Sequence, residues 1–314
     1  MLKTLFIGSM SAAAILIKEL EVLTNLEGVA LDRASYNKVS HLDTNYDKHV
    51  VSKDFINKKL YDVLLDNEID IVFICGLAYK IPAYLLKIPN TTFLNIHFGK
   101  LPENRGADPV FWTLKNGDME TAISVHKIDE NWDTGKLLFK KNLSVILGET
   151  YGMLYSKLVL QTQGFVKEIL DKVGKYSQYA EQSIENVNYN PKPVGEKLFI
   201  DWENQTADDI EFLVNACNPR YSGAGTYYEG GEVRILEVAQ VSGQEPMLGR
   251  ISGEIIHAHP YEGLFVVCKD GKLLKINVLN SDAGLLSGVK YVNLGMCLGQ
   301  RFTTHISKVK EHVI

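Results

Sequence analysis

The sequence predicts an α/β protein, with a doubly wound, mostly parallel, Rossmann-like sheet domain followed by a small OB-like β-barrel. Three observations carry this expectation. In the first half, short apolar runs alternate with helix-like segments, the pattern of parallel strands with helices on both faces. In the last third, short β-type runs are broken by glycines at the spacing of a small antiparallel barrel. Between them lies a polar, proline-bearing stretch without periodicity, the composition of a connector. A chain of 314 residues has room for both domains, expected at 1–175 and 201–314 with a linker over 176–200.

The elements follow in order. Residues 4–7 read as a first buried strand, 12–23 as a helix and 28–31 as a second strand. Residues 53–65 have helical spacing, and 69–75 (IDIVFIC) form a continuous apolar run of the kind buried on both faces. Pro82 opens a further short helix, and TFLNIH at 92–97 is a strand ending in polar residues. Two strand-like runs between 121 and 145 flank a polar turn at 130–135, and 151–173 has the length of a long helix. Residues 174–197 are polar and are expected to wrap between the domains. A helix near 207–216 then precedes the runs TYYEGGEVRILEV, GEIIHAH and GLFVVCKDGKLLKINVL.

Composition narrows the function. Lys and Arg number 33 against 38 Asp and Glu, a net charge of −5, and no basic run stands out as a footprint for nucleic acid. No apolar run approaches the roughly 18 residues of a membrane span. The start, MLKTLFIGSM, reads as a buried strand rather than a secretion signal. Cys75, Cys217, Cys268 and Cys297 are scattered without a C-x-x-C pair, which suits reduced thiols in the cytoplasm and argues against a metal site.

In open α/β sheets ligands bind at the carboxyl ends of strands, which points to 76–81 and 95–106. Asn95 and His97, two apart on one strand, face the same side. An amide donor beside an imidazole suits attack on a carbonyl: the amide holds the developing oxyanion and the imidazole handles the proton. Asp133, in the turn Asp133-Thr134-Gly135, is expected to orient His97 and to favour its cationic form. Each feature is common alone, and D-T-G is an ordinary turn. No G-x-G-x-x-G follows the first strand, so Gly8 is not a dinucleotide fingerprint.

The combination is more specific. FLNIHFGKLPENRGADPVFW resembles the N-x-H-x-S-x-L-P-x-x-R-G-x-x-P segment of 10-formyltetrahydrofolate-dependent formyltransferases, and ISVHKIDENWDTGKLL resembles their T-x-H-x-x-x-x-x-D-x-G segment. FIDWENQTADDIEFLVNACNPRYSGAGTYYEGGEVRILEV is similar to the junction and barrel of methionyl-tRNA and amino-sugar formyltransferases. The family serine after the histidine motif is Gly99 here, with Lys100 next. The resemblance implies formyl transfer from 10-formyltetrahydrofolate to an amine, without a metal, with Asn95, His97 and Asp133 as the catalytic trio. It implies a pterin site on the loop Gly76, Leu77, Ala78, Tyr79, Lys80 and Ile81, with Asp129 on the opposite wall.

The acceptor is read from charge. Residues 32–49 hold three basic and three acidic side chains, and 200–314 hold ten basic and fourteen acidic. A tRNA is a poor partner for such surfaces, so a nucleotide-linked amino sugar is favoured. On that reading Lys100, Arg105 and Arg220 are candidates for the diphosphate, and Trp112, Tyr221 or Tyr228 for stacking on the base. A formyltetrahydrofolate hydrolase would use the same trio with water, but the C-terminal barrel counts against it. A binding module would leave the trio without a purpose. The resemblance leaves homodimerisation open, and the sequence marks no surface for it.

Overall fold

The structure, a computed structural model, describes residues 1–174, 179–243 and 245–305. Residues 176–178, the start of the expected linker, lie outside the described residues. The chain forms two compact units. The first holds residues 1–109, 120–144 and 155–191, and the second holds 110–119, 145–154 and the described residues from 192 onward. Two segments that precede the linker in sequence, 110–119 and 145–154, therefore fold with the second unit.

In the first unit, β1 (Lys3–Gly8), β2 (Asn25–Leu31), β3 (Asp47–Val50), β4 (Ile71–Cys75) and β5 (Thr92–His97) run parallel in the order β3-β2-β1-β4-β5. A two-residue strand β6 (Arg105–Gly106) stands apart from this sheet, which continues with antiparallel β7 (Glu120–Lys127) and β8 (Leu137–Ser144). Residues alternate between its faces, as the pleat requires. Leu5, Ile7, Val72, Ile74 and Phe93 pack in one cluster with Phe55, Ile56, Leu60 and Leu64. Phe6, Phe73 and Ile96 face the other way, toward Leu16 and Leu20 of α1 (Met10–Leu23) and toward Val166 and Ile169. This is the expected doubly wound arrangement, with antiparallel strands added at one edge.

The remaining helices show where local chemistry decides. Asp32 caps α2 (Arg33–Val39) by accepting from the Ser35 N–H at 3.0 Å. The helical spacing over 53–65 becomes a π turn, Phe55–Lys59, followed by α3 (Leu60–Asp66). The helix expected from Pro82 is a single 3₁₀ turn, Leu85–Lys87. Pro89 disfavours helical backbone at Ile88, whose ψ is 122°, so the helix cannot propagate. After α4 (Pro109–Lys115) and the 24-residue α5 (Tyr151–Gly174), β9 (Tyr189–Asn190) pairs in parallel with β6.

In the second unit α6 (Ala207–Cys217) opens with a capping box between Thr206 and Asp209 and buries Ile210, Leu213 and Val214. Strands β10 (Ala224–Tyr228), β11 (Gly231–Gln240), β12 (Ile255–His259), β13 (Gly263–Val267) and β14 (Leu273–Ser281) form an antiparallel sheet. It is completed by β15 (Gly284–Ser287), α7 (Gly288–Asn293) and β16 (Phe302–Thr303), in the order β12-β13-β14-β11-β10-β16 with β15 on β14. Hydrogen bonds between Ile255 and the segment 299–300 join β12 to the approach to β16, so the sheet curls on itself. Trp202 anchors its interior, stacked 5.9 Å from Phe302 and donating to Thr226 Oγ1 at 2.8 Å.

Candidate active site

The antiparallel pairing of β5 with β7 builds the centre of the site. It sets Asn95 opposite His126 and His97 opposite Ser124. The turn between β7 and β8 brings Asp133 over the same strand end. Asp133 has φ +55°, a left-handed conformation that a non-glycine residue keeps only when its surroundings hold it. The fastening is extensive. Thr134 donates to Asp129 at 2.6 Å, and the Asn131 N–H donates to it at 3.0 Å. Gly135 lies so close to β7 that a Cβ there would sit 1.7 Å from the Lys127 carbonyl oxygen.

Asp133, 8% exposed, is the hub. Its Oδ2 accepts the Gly106 N–H at 2.9 Å and its Oδ1 accepts Asn95 Nδ2 at 3.2 Å. The same Oδ1 stands 3.7 Å from His97 Nδ1 and 3.4 Å from His126 Nε2. Burial pushes the Asp133 carboxyl up, but in the acid range, where the imidazoles of His97 and His126 are protonated, their charges, hydrogen bonding to His126 and the Gly106 N–H outweigh it and bring it down to about 2.

His97 is 5% exposed, and its Nε2–H donates to the Asn104 carbonyl at 2.7 Å. That bond fixes the tautomer and leaves Nδ1 as the atom that takes a proton. Burial lowers the His97 pKa; Asp133 and the Asn104 carbonyl raise it, and His126 lowers it further, with a net fall. Asp133 thus acts toward the cationic form of His97, as expected of the carboxylate, and burial opposes it more strongly, so the ring rests neutral. His126 donates from Nδ1 to the Lys127 carbonyl at 3.0 Å, so its Nε2 accepts from Asn95 Nδ2 at 3.1 Å. Both N–H groups of Asn95 are thus engaged at rest.

The loop Gly76–Ile81 leaves the end of β4, the strand beside β5. Gly76, Ala78, Tyr79 and Lys80 are exposed, Leu77 is half-buried and Ile81 anchors the loop in the core. Exposed backbone donors and acceptors beside a strand end can pair with the edge of a flat heteroaromatic ring. Among the described residues no group of three His, Cys, Asp or Glu side chains could hold a metal ion.

Several sequence candidates are placed differently from the expectation. Asp129, half-buried, accepts from Thr134 Oγ1 and from the Asn131 N–H within its own turn. Arg105 is 9% exposed: its Nε and Nη2 donate to Gln182 Oε1 at 3.0 and 2.7 Å, and its plane lies over Tyr189. A guanidinium so enclosed is a structural tie and not an open diphosphate donor. Lys100 pairs with Glu120 at 3.0 Å. In the second unit, Tyr221 packs edge-on against Phe111, Trp112 lies beneath Lys115 and Lys197, and Arg220 is exposed. Tyr228 stands against Phe302 with its hydroxyl on Gln300, an interior role. The residues that sequence reasoning left without roles are His126, Asn104 and Gln182. Only His126 had a signal, its place in the T-x-H-like run.

Known proteins share the sequence pattern and the fold. Residues 16–169 match the family model for formyl transferase, and residues 195–289 match that for the formyl transferase C-terminal domain. This chain belongs to the formyltransferase family. A methionyl-tRNA formyltransferase of Janthinobacterium sp. is 27% identical over 225 residues, covering 71% of this chain and 69% of that protein. Among solved structures, a HypX variant from Aquifex aeolicus superposes with a TM-score of 0.67 at 19% identity, over 93% of this chain and 47% of HypX. This formyltransferase thus spans about half the length of HypX. The N-formyltransferase of Helicobacter canadensis, solved with folinic acid and dTDP-3-aminofucose, has a TM-score of 0.65 at 14% identity, over 88% of this chain and 99% of that one. At these identities the likeness is one of fold. The family membership makes the chain an enzyme that transfers a formyl group. No described helix is long and apolar enough to cross a membrane.

Proposed function

We propose that this formyltransferase N-formylates the amino group of a nucleotide-linked amino sugar, with Asn95, His97 and Asp133 at the reacting centre. The observation that carries the choice of acceptor is the segment between β2 and β3. It is compact, built around the seven-residue α2, and its three basic and three acidic side chains cancel. A polyanion gains affinity by releasing counterions to clustered basic groups, and this segment offers no such cluster. The −4 balance of residues 200–314 supports the same choice. The Helicobacter canadensis protein, which was solved with a nucleotide amino sugar, supplies a precedent in the same fold.

In the reaction the acceptor nitrogen attacks the formyl carbon, the bond from that carbon to the folate nitrogen breaks, and the nitrogen that leaves takes up a proton. His97 Nδ1 accepts the proton shed by the attacking amine. The resulting cation is met by the Asn104 carbonyl at Nε2 and by Asp133 at Nδ1, the two acceptors already in place. The oxyanion draws one Asn95 N–H away from its resting acceptor, exchanging one partner for another without leaving a donor bare. The pterin ring rests against the backbone of Gly76–Ile81 and the turn at 129–133.

A second reading, transfer to initiator methionyl-tRNA, is favoured by the names of the curated relatives. The two separate in a thermal-shift and turnover screen with reduced folate and dTDP, UDP, GDP or methionyl-tRNA. A ligand that binds only the folded state raises the melting point by mass action. Stabilisation by folate with one nucleotide, and turnover of its amino sugar, is the expected result. Stabilisation and turnover with the tRNA alone would overturn the sugar assignment.

A further inference from the structure

The polar segment after α5, described from residue 179 to 190, folds back as a strap onto the first unit. Leu137 and Ala180 exchange backbone hydrogen bonds at 2.8 Å, and β9 pairs with β6. Between these two fastenings stands Gln182, half-buried. Its Nε2 donates to the Asp133 carbonyl at 2.8 Å and to the Gly135 carbonyl at 2.7 Å. Its Oε1 accepts Arg105 Nε and Nη2 at 3.0 and 2.7 Å. Both N–H donors and both lone pairs of the carboxamide are therefore used. The assignment of its oxygen and nitrogen follows from the partners, because a flip would set N–H against guanidinium N–H and oxygen against two carbonyls.

We propose that Gln182 is a positioning residue for formyl transfer: by tying the Asp133 and Gly135 carbonyls to buried Arg105, it sets where the Asp133 carboxylate stands relative to His97. This rests on the site assigned above and adds a member that lies outside both sequence motifs. The turn needs such a tie because Asp133 is held in a left-handed conformation. Four contacts fix its two ends: Gly106 N–H and Asn95 on the carboxylate, Gln182 on the backbone carbonyl, and the Gly135 approach to β7. Only the Gln182 contact comes from the strap. A carboxamide is the one uncharged side chain of this length that both donates twice and accepts twice. Glu would keep the Arg105 tie and lose both donors, and Met would lose everything but the volume.

The test compares Gln182→Met and Gln182→Glu with the wild-type full chain, using whichever amine the wild type formylates. Both variants are expected to lose at least about tenfold in kcat while KM for 10-formyltetrahydrofolate stays within about twofold, since the pterin loop is untouched. The groups facing His97 are Asp133 on the turn, His126 on β7 and the Asn104 carbonyl. Withdrawal of the Asp133 charge leaves burial and His126 less opposed, so the His97 ring, followed by NMR in ¹³C-histidine-labelled protein, titrates at lower pH. That readout needs no acceptor, so a wrong amine assignment cannot be mistaken for a failure here. Near-wild-type kcat and an unmoved His97 titration in folded Gln182→Met would overturn the proposal. Retained kcat in Gln182→Glu would also overturn it, because the Arg105 tie alone would then suffice. A loss of rate matched by the unfolded fraction would make Gln182 merely structural.

Discussion

Replacing Asp133 with Asn isolates the charge at the centre of the site. Asn tolerates the left-handed backbone that Asp133 adopts, so the turn keeps its shape while one negative charge disappears. That charge lies 3.7 Å from His97 Nδ1. Opposite unit charges at this separation attract by about 4 kcal/mol at an effective dielectric constant of about 20. His97 carries its positive charge only after it has taken the amine proton, so the attraction is realised on the way to the transition state and not in the resting complex. Loss of half of it, the other half replaced by the amide dipole, lowers kcat roughly 30-fold; loss of all of it lowers kcat about 10³-fold. The pH dependence has a definite sign. Asp133 raises the proton affinity of His97 against burial, so its removal lowers the His97 pKa further. A base that must be unprotonated then works to lower pH, and the acid limb of kcat/KM moves down the pH axis while the plateau falls. Steady-state rates over pH 5–9 at saturating folate measure both effects. A kcat within about threefold of wild type, or an acid limb displaced upward, would refute the electrostatic role.

The same substitution tests stability. The Asp133 carboxyl falls from 3.8 to about 2 on folding, a depressed pKa that contributes about 2 kcal/mol. That contribution is present above about pH 4 and lost as pH falls through about 2. In urea unfolding, wild type should lose about 2 kcal/mol more than Asp133→Asn between those limits; parallel curves would contradict the depressed pKa. His97→Ala and Asn95→Ala should each lower turnover at least about 10³-fold, with folate affinity by calorimetry little changed; near-normal rates in either would remove it from the trio. Gly106→Ala should cost about 2 kcal/mol or more, because Gly106 has φ +95° and a Cβ there would lie 2.3 Å from the Asn190 oxygen. An unchanged melting temperature would show that the strap can yield at that point.

Much of this was legible because apolar runs announce strands. TFLNIH has the bounds of β5, and the strand-end rule pointed to Asn95, His97 and the loop after β4. The antiparallel turn of the sheet after β5 has no such signal: β7 is buried continuously from Thr121 to His126, as the parallel strand β4 is, so nothing local says that His126 lies opposite Asn95. The net direction of the His97 shift was not legible for a related reason. A nearby carboxylate can be read from sequence, but the depth of burial that opposes it cannot. Arg105 stood in a readable motif, yet its partner Gln182 lies 77 residues away in a stretch without periodicity. Gln182 in turn bonds to backbone carbonyls, which every residue possesses and no sequence marks.

On the proposed mechanism, the two acceptors that would meet a protonated His97 depend on this same unmarked stretch. One is the Asn104 carbonyl, whose residue is held by Asn190 Nδ2 on its side-chain oxygen at 2.7 Å. The other is Asp133, whose backbone is held by Gln182. The ring is neutral at rest because burial outweighs both acceptors, and the charged ring is the form that both acceptors match. Catalytic advantage comes from groups that are preorganised for the charged state and cost nothing to move when the charge appears. A hydrophobic segment could cover the site equally well, but it could not fix two acceptors at once. The polar composition that makes residues 179–190 look like an idle connector is therefore what qualifies the segment to hold both sides of the imidazole.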